Sequence, residues 1–238
     1  MNKIKNIFLG KKILIYGLGK SGISSYNFLK KKSDVYLFDD NPKINKKIIN
    51  INKVLTLNFD KIIISPGIDI LKCKLSKFLK KNFSKIHTDL DVFFSFYKNE
   101  SITITGTNGK STTAKILHDV LIDQKRDSRL VGNIGNPVLS EKKITEKTLF
   151  VIEASSYQLE YSKIFASKYA IILNISGDHL ERHKTIYNYV NAKFKLLRFQ
   201  NRGSFAYVKK NDKLIINKIK NNNYKSKIYK VLLKTRLW

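Results

Sequence analysis

Short apolar runs punctuate the chain, each too brief for a helix. They are KKILIYG (11–17), DVYLFD (34–39), KIIIS (61–65), SITIT (101–105), TLFVIE (148–153) and YAIILNI (169–175). Each is followed by a turn and then by a stretch with helix-like patterning. Such strand–helix alternation predicts an α/β fold built on mostly parallel sheets. The first three runs are expected to form one unit. A polar stretch at Tyr97–Glu100 marks a boundary, giving domains at 1–98 and 99–238. No internal repeat is visible. The end reads differently. From Lys209 to Trp238 there are ten basic residues and one acidic one, KNNNYKSK (220–227) reads as a loop, and LLKTRLW (232–238) carries no stop or turn signal. This tail is expected to be a domain cut short.

Composition alters that picture little. The chain has 238 residues and 42% hydrophobic content, enough for two domains with real cores. Its formal net charge of +28 would suit a nucleic acid or an anionic membrane. Yet Lys, Asn and Ile abound in every segment, as in a low-GC coding bias, and the lysines form no single stripe. No base-reading motif and no aromatic–basic surface is legible, so neither nucleic acid nor membrane is expected as a partner. Cys73 is the only cysteine, which excludes an internal disulfide and fits a reducing cytoplasm. The basic N-terminus is interrupted by Lys11 and Lys12 and does not read as a signal peptide. No run approaches the ~18 apolar residues of a membrane span. The expectation is a cytoplasmic monomer.

Two glycine loops carry the candidate chemistry. GLGKSG, Gly17–Gly22, follows a strand and precedes a helix, with Asp39 and Asp40 closing the next strand. Gly19 lets the backbone approach a pyrophosphate, and the helix N-terminus supplies N–H donors. An NAD- or FAD-dependent oxidoreductase, another diphosphate binder or a plain tight turn all satisfy this motif. TGTNGKST, Thr105–Thr112, is more specific. Gly106 and Gly109 permit a loop to wrap a phosphate, Lys110 can reach the β- and γ-phosphates, and Ser111 can ligate Mg²⁺. Ile104 stands where the common version of this loop has its first glycine.

That shorter loop, Gly106-Thr107-Asn108-Gly109-Lys110-Ser111-Thr112, resembles the ATP loop of the Mur ligase family. Further motifs follow in order. EASSYQLE (153–160) resembles the family segment whose Glu, here Glu153, holds Mg²⁺. Asp178-His179 resembles the pair whose His serves a second Mg²⁺. YVNAKFKLL (189–197) resembles the helix with a carbamylated lysine; Lys193 matches by position and Lys195 competes. VGNIGNP (131–137) resembles a loop whose Asn, here Asn133, contacts substrate. Ser65-Pro66-Gly67 resembles the loop holding a sugar nucleotide, and HTDLDVFF (87–94) the segment joining domains.

The resemblance implies a Rossmann-like UDP-sugar domain followed by a P-loop ATP domain. In the first, Gly19, Lys20, Ser21 and Asp39 would hold the UDP group. In the second, Lys110, His179 and Lys193 would be catalytic, with Ser111, Glu153, His179 and carbamylated Lys193 serving two Mg²⁺ sites. Asn108 and Ser111 point to the D-glutamate-adding member, acting on UDP-N-acetylmuramoyl-L-alanine, D-glutamate and ATP. Other members of the family are the alternative. The family's third, glutamate-binding domain has no counterpart in this sequence, so binding without ligation is expected of this chain alone.

Overall fold

The computed structural model describes residues 6–44 and 47–232. These fall into two compact units: one holds the described residues up to 98 with 137–142 and 161–165, the other 99–136, 143–160 and 166–232.

The first unit is a parallel sheet with helices on it. In chain order it runs β1 (Lys12–Tyr16), α1 (Lys20–Leu29), β2 (Asp34–Phe38), α2 (Ile51–Thr56), β3 (Lys61–Ile64), α3 (Ser76–Lys81), β4 (Ile86–His87) and α4 (Asp89–Phe96). The strand order is β2-β1-β3-β4, all parallel. Ile13–Tyr16 and Ile62–Ile64 are fully buried, which is why these strands read as continuous apolar runs rather than alternating ones. Asn50 caps α2 by accepting from the amide of Lys53 at 2.8 Å. Gly22 sits so close to the first glycine loop that a Cβ there would lie 1.9 Å from the carbonyl oxygen of Gly17.

One buried carboxylate organises the far side of this unit. Asp91 accepts from the hydroxyl of Ser162 at 2.7 Å and from the amides of Lys163, Ile164 and Phe165 at 2.9–3.0 Å, while His87 Nδ1 lies 3.0 Å away. Burial pushes its pKa up, but His87 and these donors win and hold it below the usual carboxylate range.

The second unit contains β5 (Ser101–Thr105), α5 (Lys110–Asp123), β6 (Ser128–Gly132), β7 (Leu149–Glu153), α6 (Ser156–Glu160), β8 (Tyr169–Ile172), α7 (Leu180–His183), α8 (Ile186–Arg198), β9 (Phe205–Lys209), α9 (Lys213–Lys220) and β10 (Lys227–Val231). Its six strands are parallel in the order β10-β9-β8-β5-β7-β6. The central strands β5 and β7 put Thr103, Ile104, Val151 and Ile152 at full burial. The expected α/β fold is therefore present, Rossmann-like in the first unit and of the mononucleotide-binding type in the second. Among the described residues no helix is long and apolar enough to cross a membrane.

The tail is regular as far as it is described. From Lys209 to Val231 the chain continues the fold, adding α9 and pairing β10 with β9 in register from Lys227↔Phe205 to Val231↔Lys209. Asp212 caps α9 through the amide of Ile215, and Ile215 is fully buried. Most of its basic residues lie on exposed positions, with Lys209 and Lys218 half-buried, and they do not interrupt the pattern. Asn221–Ser226 is the expected loop; residues 233–238 of LLKTRLW lie outside the described residues.

Candidate nucleotide site

The second glycine loop leaves the carboxyl end of β5 and enters α5, whose N-cap Gly109 has φ +81°, a left-handed conformation natural to glycine. At Gly106, φ is +157° and an added Cβ would approach Leu173 Cβ to 3.1 Å. The next strand on either side supplies the loop's support. The amide of Thr107 donates to Asn174 O at 2.9 Å. Asn174 also pairs with Asn108, its side-chain oxygen accepting from the amide at 2.9 Å and its side-chain amide donating to the carbonyl at 3.0 Å. Lys110 Nζ folds back to the carbonyl of Thr107 at 2.8 Å. Ser111 and Thr112 are exposed in the first turn of α5.

At the end of β7, Glu153 is 1% exposed. Ser111 Oγ donates to its Oε2 at 2.8 Å and Asn133 Nδ2 donates to its Oε1 at 2.9 Å. Gly132, just before Asn133, has φ +108°, and a Cβ there would lie 2.3 Å from Glu153 O. The tight turn after β6 thus lays Asn133 against the carboxylate. Three candidates from different segments meet here.

Lys193 approaches from α8. It is 1% exposed, and its Nζ donates to Gly106 O at 2.7 Å while lying 4.6 Å from the centre of the Tyr189 ring. Burial, reinforced by the charge of Lys110, lowers its pKa from 10.5 to about 7. Lys193 falls within the buried stripe of α8, with Tyr189, Val190, Leu196 and Leu197. The competing Lys195 turns instead toward the carbonyl of Glu160. The geometry therefore separates two lysines that the sequence left open.

His179 sits at a left-handed position, φ +53°, with its ring 4.9 Å from Tyr157 and 6.4 Å from Tyr189. Its nitrogens lie 3.4 Å from Asp178 and 3.7 Å from Glu181. Among the described residues no group of three or more His, Cys, Asp or Glu gathers as a metal cage. The proposed ligands form instead a pair, Ser111 with Glu153, with Lys193 and His179 joined through Tyr189. An all-oxygen pair of one hydroxyl and one carboxylate fits a hard, water-retaining cation such as Mg²⁺.

Tyr189 and His183, to which the sequence assigns no role, also pack beside the loop and α6. The hydroxyl of Tyr189 is 3.2 Å from Thr107 Oγ1, which is 3.0 Å from the amide of Ser176. His183 is buried, 3.0 Å from Ser156 Oγ, and stacks on Tyr157. Burial first, then the charges of Arg182, His179 and Lys193, lower its pKa from 6.5 to about 4. The only sequence signal for Tyr189 was its place on the apolar face of α8.

The first unit's loop is separate. Gly19 is the N-cap of α1, and Gly19 and Lys20 are exposed. Asp39 closes the loop from β2, its Oδ2 accepting from the amide of Leu18 at 2.7 Å and its Oδ1 from Asn41 at 2.9 Å. Ser65 Oγ donates to Gly17 O at 2.6 Å, and Pro66 and Gly67 follow in the adjacent turn. Ser21 bonds to Asp89, a buried carboxyl whose pKa burial pushes up. Asp89 is a further residue that sequence reasoning did not assign.

A short phosphate-type loop on the central strand of a parallel sheet, with a lysine at its tip and a hydroxyl–carboxylate pair at the next strand, defines the second unit as a mononucleotide-binding α/β domain. A family model described as the Mur ligase middle domain matches residues 104–235. The chain belongs to the Mur ligase family. The UDP-N-acetylmuramoylalanine--D-glutamate ligase of Rickettsia felis is 39% identical over 209 residues, 83% of this chain and 46% of that protein. The protein of the same name from Clostridioides difficile is 33% identical over 223 residues, 87% of this chain and 49% of that one. The chain thus spans about half the length of the curated relatives it matches. Its fold is also like the crystal structure of UDP-N-acetylmuramate:L-alanyl-gamma-D-glutamyl-meso-diaminopimelate ligase from Neisseria meningitides, with TM-score 0.58, 13% identity, and coverage of 92% of this chain and 77% of that one.

Proposed function

We propose that this chain carries the sugar-nucleotide and ATP sites of an ADP-forming acid–amino-acid ligase that adds D-glutamate to UDP-N-acetylmuramoyl-L-alanine in peptidoglycan precursor synthesis. The observation that carries the reading is the meeting of Ser111, Asn133 and Glu153 beside the 106–112 loop, in a chain whose curated relatives bear that ligase name. An oxidoreductase reading of the first glycine loop leaves this second constellation without a task.

In the proposed reaction the L-alanine carboxylate attacks the γ-phosphate of ATP, ADP leaves, and an acyl phosphate forms. The amine of D-glutamate then adds to the acyl carbon and phosphate departs. Little covalent work falls to the protein, so positioning and charge neutralisation dominate. The N–H groups of the 106–112 loop and the N-terminus of α5 cradle the phosphates. Lys110 swings from the Thr107 carbonyl to the β- and γ-phosphates. Ser111 and Glu153 would hold one Mg²⁺; His179 and Lys193, the latter as its carbamate, would serve a second. When bound, Mg²⁺ neutralises charge on the transferring phosphoryl group. Lys193 suits carbamylation because a pKa near 7 leaves much of its amine unprotonated and able to add CO₂ with loss of a proton. Asn133 keeps the Glu153 carboxylate oriented. In the first unit, the loop of Gly19, Lys20 and Ser21 would receive the UDP diphosphate, with Asp39, Ser65, Pro66 and Gly67 around it.

Calorimetry tests this. The chain is titrated with UDP-N-acetylmuramoyl-L-alanine and, separately, with Mg²⁺-ATP. Saturable binding of both is expected, the first weakened by Ser21→Ala and Asp39→Ala and the second by Lys110→Met. A folded chain that binds neither, or that binds NADH tightly in place of the UDP-sugar, overturns the proposal.

A further inference from the structure

The helices α1 and α4 follow β1 and β4, parallel members of the first sheet, so both begin at the sheet end that carries the 17–22 loop. They run side by side in one direction, and two contacts share one register. Toward their far ends Phe28 meets Phe96 edge to face at 5.0 Å. Seven residues earlier on each helix (28 to 21, 96 to 89), about two turns back, the Ser21 hydroxyl meets the Asp89 carboxyl. Ser21 is half-buried, and Asp89 is 3% exposed.

Two buried carboxyl groups thus stand two residues apart on α4, and they are equipped differently. Asp91 accepts from Ser162, Lys163, Ile164 and Phe165 and faces His87 of β4, donors enough to keep it ionised. Asp89 has the adjacent amide of Leu90 at 3.0 Å and the Ser21 hydroxyl. Among the described residues no Lys, Arg or His forms an ion pair with Asp89. The charge that reaches it along α4 is the Asp91 anion, which opposes a second one. From α1 it meets the neutral Ser21, and the neighbouring Lys20 is exposed. The N-terminus of α4 favours an anion. Burial outweighs it and holds the Asp89 pKa above the usual carboxylate range. The charge state matters to the loop. An ionised Asp89 can only accept, so it would take the single O–H of Ser21 and set a negative charge behind an anion-binding turn. A protonated Asp89 donates to Ser21 Oγ and leaves the Ser21 O–H free for a ligand.

We propose that Asp89 is kept neutral as the support of Ser21: its carboxyl O–H donates to Ser21 Oγ, and the Ser21 O–H donates to the diphosphate of the sugar nucleotide. Asp89 is then a positioning residue that reaches the ligand through Ser21. This role rests on the reading that the 17–22 loop receives the UDP diphosphate. Two measurements on the full chain test it. The first is infrared spectroscopy of the ligand-free chain at pH 7. A carboxylic-acid C=O stretch is expected that shifts on ¹³C-aspartate labelling and is absent from Asp89→Asn. The second is calorimetric titration with UDP-N-acetylmuramoyl-L-alanine. Asp89→Ala is expected to weaken binding about tenfold, the loss of one well-placed hydrogen bond. Asp89→Asn is expected to restore affinity to within about threefold of the parent, because its amide N–H donates to Ser21 Oγ in place of the carboxyl O–H. In a Ser21→Ala background the further change Asp89→Ala is expected to cost less than about twofold, since the donor it supports is gone. An ionised Asp89 in the parent spectrum, equal weakening by Asn and Ala, or an Asp89→Ala titration like the parent's each overturns the proposal. Circular dichroism checks that Asp89→Ala folds; where it does not, the spectrum and the Asp89→Asn titration decide. A folded chain that shows the acid stretch yet binds no UDP-sugar overturns the proposed function and not the neutral carboxyl. A chain that binds the UDP-sugar but lacks the stretch does the reverse.

Discussion

Replacing Lys193 by Met tests whether the amine is held desolvated beside the loop. Burial and Lys110 lower its pKa from 10.5 to about 7. The folded value lies below the unfolded one, so between pH 7 and 10.5 the unfolded chain keeps a proton that the folded chain has lost. Stability attributable to this residue is therefore least below pH 7 and rises toward pH 10.5. At about 1.4 kcal/mol per pH unit, a span of that width is worth about 5 kcal/mol, a ceiling because small rearrangements let an amine reach water. Met keeps the length and apolar packing of the side chain, and gives up its bond to Gly106 O. Urea unfolding of parent and Lys193→Met at pH 6, 8 and 10, in buffers free of CO₂, measures the difference. The variant is expected to match or exceed the parent at pH 6 and to lose ground steadily as pH rises. Parallel stability curves for the two proteins would refute the reasoning, since they would mean that Lys193 titrates as an ordinary solvated lysine. Bicarbonate added to the parent at pH 8 is expected to add the mass of one CO₂, and to add none to the variant.

Three further outcomes are expected. Gly132→Ala places a Cβ 2.3 Å from Glu153 O at a φ of +108° and should cost about 2–3 kcal/mol, read as a lowered melting temperature with weakened Mg²⁺-ATP binding. His183, with its pKa lowered from 6.5 to about 4, takes up a proton more readily when unfolded, so stability should fall by about 3 kcal/mol as pH drops across that window; His183→Gln should flatten this part of the profile in acid titrations followed by fluorescence. Tyr189→Phe removes the hydroxyl 3.2 Å from Thr107 Oγ1 and should cost about 1 kcal/mol in urea unfolding.

Three of the strands that the sequence announces are buried on both faces. Ile13–Tyr16, Ile62–Ile64 and Phe150–Ile152 are continuous apolar runs for that reason. The missed strands lack the signal on physical grounds. β4 has two residues, β6 begins with Ser128-Arg129, and β9 and β10 expose one face, so lysines and tyrosines dilute the pattern. The phosphate-type loop was legible because its Gly, Lys and Ser are contiguous. The contacts that shape it were not, because Asn133, Glu153, Asn174 and Tyr189 are brought together only by the order of strands in the sheet. Lys193 could be separated from Lys195 only once the buried stripe of α8 was in place.

The Asp91 carboxylate also bears on how the chain is made. Its donors Ser162, Lys163, Ile164 and Phe165 are synthesised some seventy residues after it. A nascent chain emerging from the ribosome in order has β1 to β4 available early, but it cannot complete the first unit until residue 165 is out. By then the 106–112 loop and β7 have already been made. The two units are interleaved in time, so early release of residues 1–98 would leave a buried charge without the partners that hold it, a species fit for degradation rather than assembly.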